Sequence, residues 1–234
     1  MVESHTIMDT DTPLTLPSPL GGERVVEDRV RGAPAGSLRH RPASFFERLS
    51  LSELFSTPRP LEVELGSGDG GFLAQYAAAH PETNFIGVER LLGRLRKIDK
   101  KGLRAGLTNL RLIRVEAGYL VEYLLPPGSV RALHIYFPDP WPKRRHHRRR
   151  LINPRFAEAA RTALEPGGRI YFRTDHEDYF AQMLEVFGAI PEFHAVPIPP
   201  DLRQIQTDFE RDFVARGIQL LVGAVQRRGG PSLQ

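Results

Sequence analysis

The chain of 234 residues predicts an α/β fold, a doubly wound, mostly parallel sheet with helices on both faces. Three observations carry this. Short apolar runs of strand length alternate with longer segments of helical period. A glycine-rich stretch joins the first core strand to the helix after it. Acidic residues stand at the ends of successive strands, where sheets of this kind gather their ligands.

Taken in order, "LEVELG" (61–66) is a strand that stops at glycine, and "FLAQYAAAH" (72–80) is an Ala-rich helix. "NFIGVE" (84–89) is the next strand. "RLLGRLRKIDKKGLRAG" (90–106) then sets apolar and basic residues at helical spacing. "LRLIRVE" (110–116), "VRALHIYF" (130–137) and "RIYFRTD" (169–175) are further strands, separated by helical "AGYLVEYLL" (117–125) and "NPRFAEAARTAL" (153–164). "EDYFAQMLEVFGAI" (177–190) is helical, and "IQLLVGAVQ" (218–226) closes the pattern as a last strand. Residues 1–43 carry many Pro, Gly and Thr without apolar period, so they read as a disordered or loosely held arm. Residues 44–234 then form a single domain.

Composition narrows the function. With 41% hydrophobic residues the chain has material for a sizeable core. The absence of cysteine excludes a disulfide framework and a thiolate metal site, and fits a reducing cytoplasm. No apolar run approaches the ~18 residues a membrane span needs. The expectation is a cytoplasmic protein with no membrane partner and no required protein partner. Lys and Arg number 32 against 28 Asp and Glu, a net charge of +4. Six of those cations fall within 143–150, so the remainder is slightly acidic. Local basicity of this kind points to a polyanion docked at one place.

"ELGSGDGG" (64–71) fits two cofactor patterns. Gly66, Gly68 and Gly71 have the spacing of a dinucleotide fingerprint, with Glu89 placed for a ribose diol. Glu64, Gly66, Gly68 and Gly70 equally fit the first motif of S-adenosylmethionine (SAM) enzymes. A pyrophosphate needs backbone N–H groups at this turn and would be repelled by the Glu64 carboxylate. A sulfonium ligand with an α-ammonium would be attracted, and Asp69 argues the same way. Glu116 ends the next strand, where an acceptor meets an adenine amino group. Three acids at three successive strand ends favour SAM over NAD.

The fourth strand runs into "FPDPWPKRRHHRRR" (137–150). Prolines on both sides of Asp139 restrict the backbone and aim the carboxylate. Trp141 offers a flat face for a base. The cations that follow can neutralise phosphates. His146 and His147 have no further His or acidic cluster at ligand spacing, so no metal is expected.

On "ELGSG" (64–68), "FIGVER" (85–90), "FPDPWPKRRHHRRR", "RTD" (173–175) and "TDFE" (207–210), the chain resembles the tRNA (guanine-N7-)-methyltransferases of the TrmB type, from about Arg59 to Gln226. The resemblance implies a class I, Rossmann-like SAM-dependent fold and tRNA as partner. It implies 7-methylguanosine as product, at guanine 46 of the variable loop. Glu64, Gly66, Gly68, Glu89, Glu116 and Asp139 would hold SAM, with Asp139 also catalytic. Lys143, Asp175, Thr207, Asp208, Phe209 and Glu210 would bind substrate, and Arg144, Arg145, Arg148, Arg149 and Arg150 the tRNA backbone. Glu116 stands where the family has Asp, and the arm has no counterpart. The residues alone leave other roles open. Thr207-x-x-Glu210 also fits a helix capping box, and Asp175 a cap for the helix from Glu177.

Guanine N7 carries an in-plane lone pair and no proton, so its methylation needs orientation and electrostatics rather than a strong base. Three alternatives remain at this point. A methyltransferase for an exocyclic amine is disfavoured by the single Pro after Asp139 and by the basic run. A dehydrogenase lacks an evident catalytic set, and a plain RNA-binding module leaves the aligned acids unexplained.

Overall fold

The computed structural model describes residues 36–229. Eight strands form one sheet: β1 (Arg39–His40), β2 (Leu61–Leu65), β3 (Asn84–Val88), β4 (Leu110–Ile113), β5 (Val130–Tyr136), β6 (Leu164–Thr174), β7 (Phe193–Ala195) and β8 (Leu221–Arg227). Their order is β1-β4-β3-β2-β5-β6-β8-β7. Neighbours from β1 to β6 pair in parallel; only the β8 pairings, with β6 and β7, are antiparallel. The helices are α1 (Leu51–Leu54), α2 (Gly71–Ala79), α3 (Leu92–Arg104), α4 (Ala117–Tyr119), α5 (Pro154–Ala163), α6 (Glu177–Gly188), α7 (Pro200–Gln204) and α8 (Asp208–Ala215). A π-helical turn, Leu120–Leu124, continues α4.

Each parallel connection packs its helix back on the sheet, giving two apolar layers. One gathers α5 and α6 residues such as Phe156, Tyr179 and Phe187. The other gathers Phe72 and Tyr76 of α2 with Leu95 and Ile98 of α3. β2 and β3 are buried along their whole length, β2 with Glu62 and Glu64 alternating among its apolar residues. Strand order reverses between β2 and β5, which pair from Glu62↔Ala132 to Leu65↔Ile135. A crevice therefore opens beyond their carboxyl ends, with the glycine turn on one side and the Asp139 turn on the other.

The arm expected over 1–43 lies outside the described residues as far as residue 35. Its last part is placed differently from that expectation. Leu38 is buried, and its carbonyl accepts from Leu112 N at 2.9 Å as β1 pairs with β4. Asp99, buried on α3, accepts from Leu38 N at 2.8 Å and Ser37 Oγ at 3.0 Å. The physical cause is the open edge of β4, whose backbone groups need partners. A two-residue strand is too short to show a period in sequence. Among the described residues, no helix is long and apolar enough to cross a membrane.

Candidate active site

Gly66, Gly68 and Gly70 have φ of 80°, 53° and 73°, a left-handed path that side chains resist. The turn they build is tied to β3's end. Glu89 accepts from Gly68 N at 3.0 Å and from Leu91 N at 2.7 Å. Beneath the turn lies a cavity of about 370 Å³, floored by Glu64, Gly66, Phe72 and Tyr136 and roofed by Asp208 and Phe209. Phe137 and Arg94 also line it.

Two acids of β2 show what the cavity lacks. Glu62 is buried, and burial alone would raise its pKa. His134 at 2.8 Å and Arg131 at 2.7 Å bring it down to about 2 instead. Glu64, two residues on along the same strand face, is equally buried, yet its Oε2 has no hydrogen-bond partner among the described residues. Burial pushes its carboxyl up to about 8, against weaker opposition from Ser67 and Arg173. An orphaned acid beside a cavity of this size is the complement of a ligand ammonium. The residues present therefore fit a cofactor with a cationic amino-acid end.

Across the crevice, the Asp139 turn is strained. Phe137 and Trp141 have φ of 52° and 42°, positions that cost about 1–3 kcal/mol each for such residues. Each stands before a proline. Asp139 between them is exposed and does not itself line the cavity, which the turn reaches through Phe137. Arg150 holds the turn in place. Its Nε donates to Pro140 O at 2.8 Å, and its other nitrogens to Gln182 at 2.7 Å and Asp178 at 2.5 Å. The guanidinium also lies 4.8 Å from the Tyr179 ring centre.

This corrects the expectation that Arg150 binds tRNA phosphates, because the residue is 1% exposed and fully engaged. Arg150→Met should thus lower Tm by several degrees and reduce turnover, whereas Arg148→Ala should leave Tm unchanged and weaken only tRNA binding. Thermal melts and filter binding check the pair; equal effects from both variants would refute the distinction.

The other Lys and Arg residues of the basic run lie at the surface. Arg144–Arg149 form a 3₁₀-helix. Lys143, Arg144, Arg145, Arg148 and Arg149 are all exposed, and none of the five has an ion-pair partner among the described residues. Trp141 is not a bare platform: Arg149 stacks over it at 4.9 Å and His146 meets it edge-on.

The remaining expected positions divide. Asp175 is exposed at the end of β6, and the cap of α6 is supplied by His176 rather than by it. Glu116 spends one hydrogen bond from each oxygen on capping α4, at Gly118 N (3.0 Å) and Tyr119 N (2.7 Å). Thr207 and Glu210 do form a capping box on α8. Glu210 is buried and its carboxylate is taken by Arg173, away from the cavity lining, from which Glu89, Glu116 and Asp175 are absent too. Tyr136 and Arg173 were missed in sequence because each sits inside a strand like ordinary pattern.

This frame of a glycine turn, strand-end acids and a switch-point cavity is that of the class I SAM-dependent methyltransferases. The solved 16S rRNA methyltransferase KamB shares it, with a TM-score of 0.57 over 77% of this chain and 93% of that one, at 17% identity. Residues 58–220 match the family described as "Putative methyltransferase". A tRNA (guanine-N(7)-)-methyltransferase of Chromobacterium violaceum is 36% identical over 204 residues, 86% of this chain and 85% of that protein. One from Chromohalobacter salexigens is 41% identical over 152 residues, 65% of this chain but 62% of its own length. The chain belongs to the tRNA (guanine-N7-)-methyltransferase family.

Proposed function

We propose that the protein transfers a methyl group from SAM to guanine N7 in tRNA, at guanine 46 of the variable loop, in the cytoplasm. The observation that supports this reading is the exposed Asp139 on a strained turn that lines the Glu64 cavity through Phe137 and leads straight into a run of cations without ion-pair partners among the described residues. SAM, when bound, supplies an electrophilic methyl group on its sulfonium.

The chain's residues do the rest. Glu64 gives up its proton and receives the cofactor ammonium. Glu89 and Glu116, steadied by their backbone donors, keep lone pairs for the ribose and adenine. Asp139 would link the cofactor and the base, so that N7 meets the methyl carbon opposite the sulfur that leaves, and would favour the positive charge that grows on the guanine ring. Asp175, exposed at the next strand end, accepts from the guanine N1–H and amino group. Lys143 and Arg144, Arg145, Arg148 and Arg149 seat the phosphates. Thr207, Asp208 and Phe209 close the cavity above.

The test is incubation of unmodified tRNA with the protein and methyl-labelled SAM, followed by nucleoside digestion. Label in 7-methylguanosine, lost when guanine 46 is replaced, is expected. Label in another nucleoside would overturn the substrate reading, and SAM binding without transfer would overturn tRNA as acceptor.

A further inference from the structure

We infer that Arg173 is a positioning residue that pins the 202–210 segment down as the roof of the cofactor cavity, so that the Arg173–Glu210 pair sets how fast cofactor leaves. The inference rests on reading that cavity as the SAM site.

The roof belongs to an excursion of the chain between β7 and β8, adjacent strands whose pairing anchors both of its ends. Thr207, Asp208, Phe209 and Asp212 line the cavity from above. α7 plants Leu202, 1% exposed, in the apolar layer of α2 and α3, with Ile198 and Ile205 packed beside it, whereas in α8 the large apolar Phe209 and Val214 stay exposed.

Its buried polar ties are concentrated on one side chain. Arg173, at the end of β6 and 3% exposed, donates to Leu202 O, to Ile205 O at 3.0 Å and to the Glu210 carboxylate. Its guanidinium rests 4.4 Å from the ring centre of Tyr136, a cavity wall. The same Glu210 oxygen accepts from Thr207 N at 3.3 Å, and Thr207 Oγ1 accepts from Glu210 N at 2.9 Å. One guanidinium thus fixes α7, the connecting turn and the first turn of α8. The other ties are weaker. Lys101 pairs with Asp208 at 3.6 Å on the surface, and Phe137 meets Phe213 at 5.3 Å. A buried charge-assisted pair outweighs both.

The planar fork matters because three acceptors lie around it, which a lysine ammonium on a flexible stem does not span in the same way. Glu210→Gln keeps volume and capping oxygen but removes the charge. Arg173→Lys keeps the charge but removes the fork.

The experiment measures dissociation of labelled SAM into excess unlabelled SAM, alongside tRNA affinity by filter binding and limited trypsin cleavage at the exposed Arg203 and Arg211. Both variants should release SAM about tenfold faster than wild type, as loss of one buried charge-assisted bond implies. tRNA affinity should stay within twofold. Cleavage without cofactor should rise in both variants and fall again when SAM is added. Unchanged release and unchanged cleavage would overturn the pin. A fall in tRNA affinity with unchanged SAM release would assign the segment to the base instead. Failure of wild type to bind SAM would defeat the cofactor reading, while the cleavage comparison still decides whether Arg173 holds the roof.

Discussion

Asp139→Asn should cut turnover on tRNA on the order of 10²-fold or more, with tRNA affinity held within about threefold, because aim and charge are lost while phosphate contacts remain. The geometry supports this split. Asp139 is held between Phe137 and Trp141, both forced into left-handed backbone, and Arg150 ties Pro140 from below. The exposed cations proposed to seat phosphates lie on the following 3₁₀-helix and make no ion pair with the carboxylate. Single-turnover kinetics with saturating SAM, set beside filter binding, checks it. A variant that loses affinity and rate together would make Asp139 a tRNA contact; one with wild-type rate would remove it from the chemistry.

Glu64→Gln should weaken SAM binding on the order of 10²-fold, since a buried charge partner for the ammonium disappears. The pH behaviour follows from the raised pKa. Burial lifts Glu64 from about 4.5 to about 8, so between those values the folded chain holds a proton that the unfolded chain has released. Stability must then fall as pH rises from 4.5 to 8 and level off above. Urea titrations across that range should show the fall in wild type and its absence in Glu64→Gln, with the variant the more stable above pH 8. Binding of the cationic cofactor draws the proton off. Calorimetry near pH 6.5 in buffers of different ionisation enthalpy should therefore show proton release by wild type and none by the variant. Equal proton counts in the two proteins would remove Glu64 from ammonium binding.

The strands and helices around the crevice were legible because their signals are local. The apolar run 61–65, the glycines after it and the helical spacing of 92–104 each specify their own backbone. The acids at strand ends were legible for the same reason, since a parallel sheet places the ends of its strands on one edge. The β1 edge strand, β7 and α7 were not, being too short for any period.

By itself the sequence determined the α/β winding, the strand ends at which Glu64, Glu89, Glu116 and Asp139 stand, and the block of cations after the last of them. Only the tertiary structure decided what each charge does. Glu62 and Glu64 are alike in sequence, but His134 and Arg131 pair with the first, while Oε2 of the second finds no hydrogen-bond partner among the described residues. Arg149 and Arg150 are neighbours, yet one faces solvent and the other is buried against Asp178, Gln182 and Tyr179. Glu210 completes a capping box that its own segment specifies, and then meets Arg173 from β6. The reason is physical: backbone conformation answers to neighbours along the chain, whereas protonation, pairing and exposure answer to groups brought near from dozens of residues away.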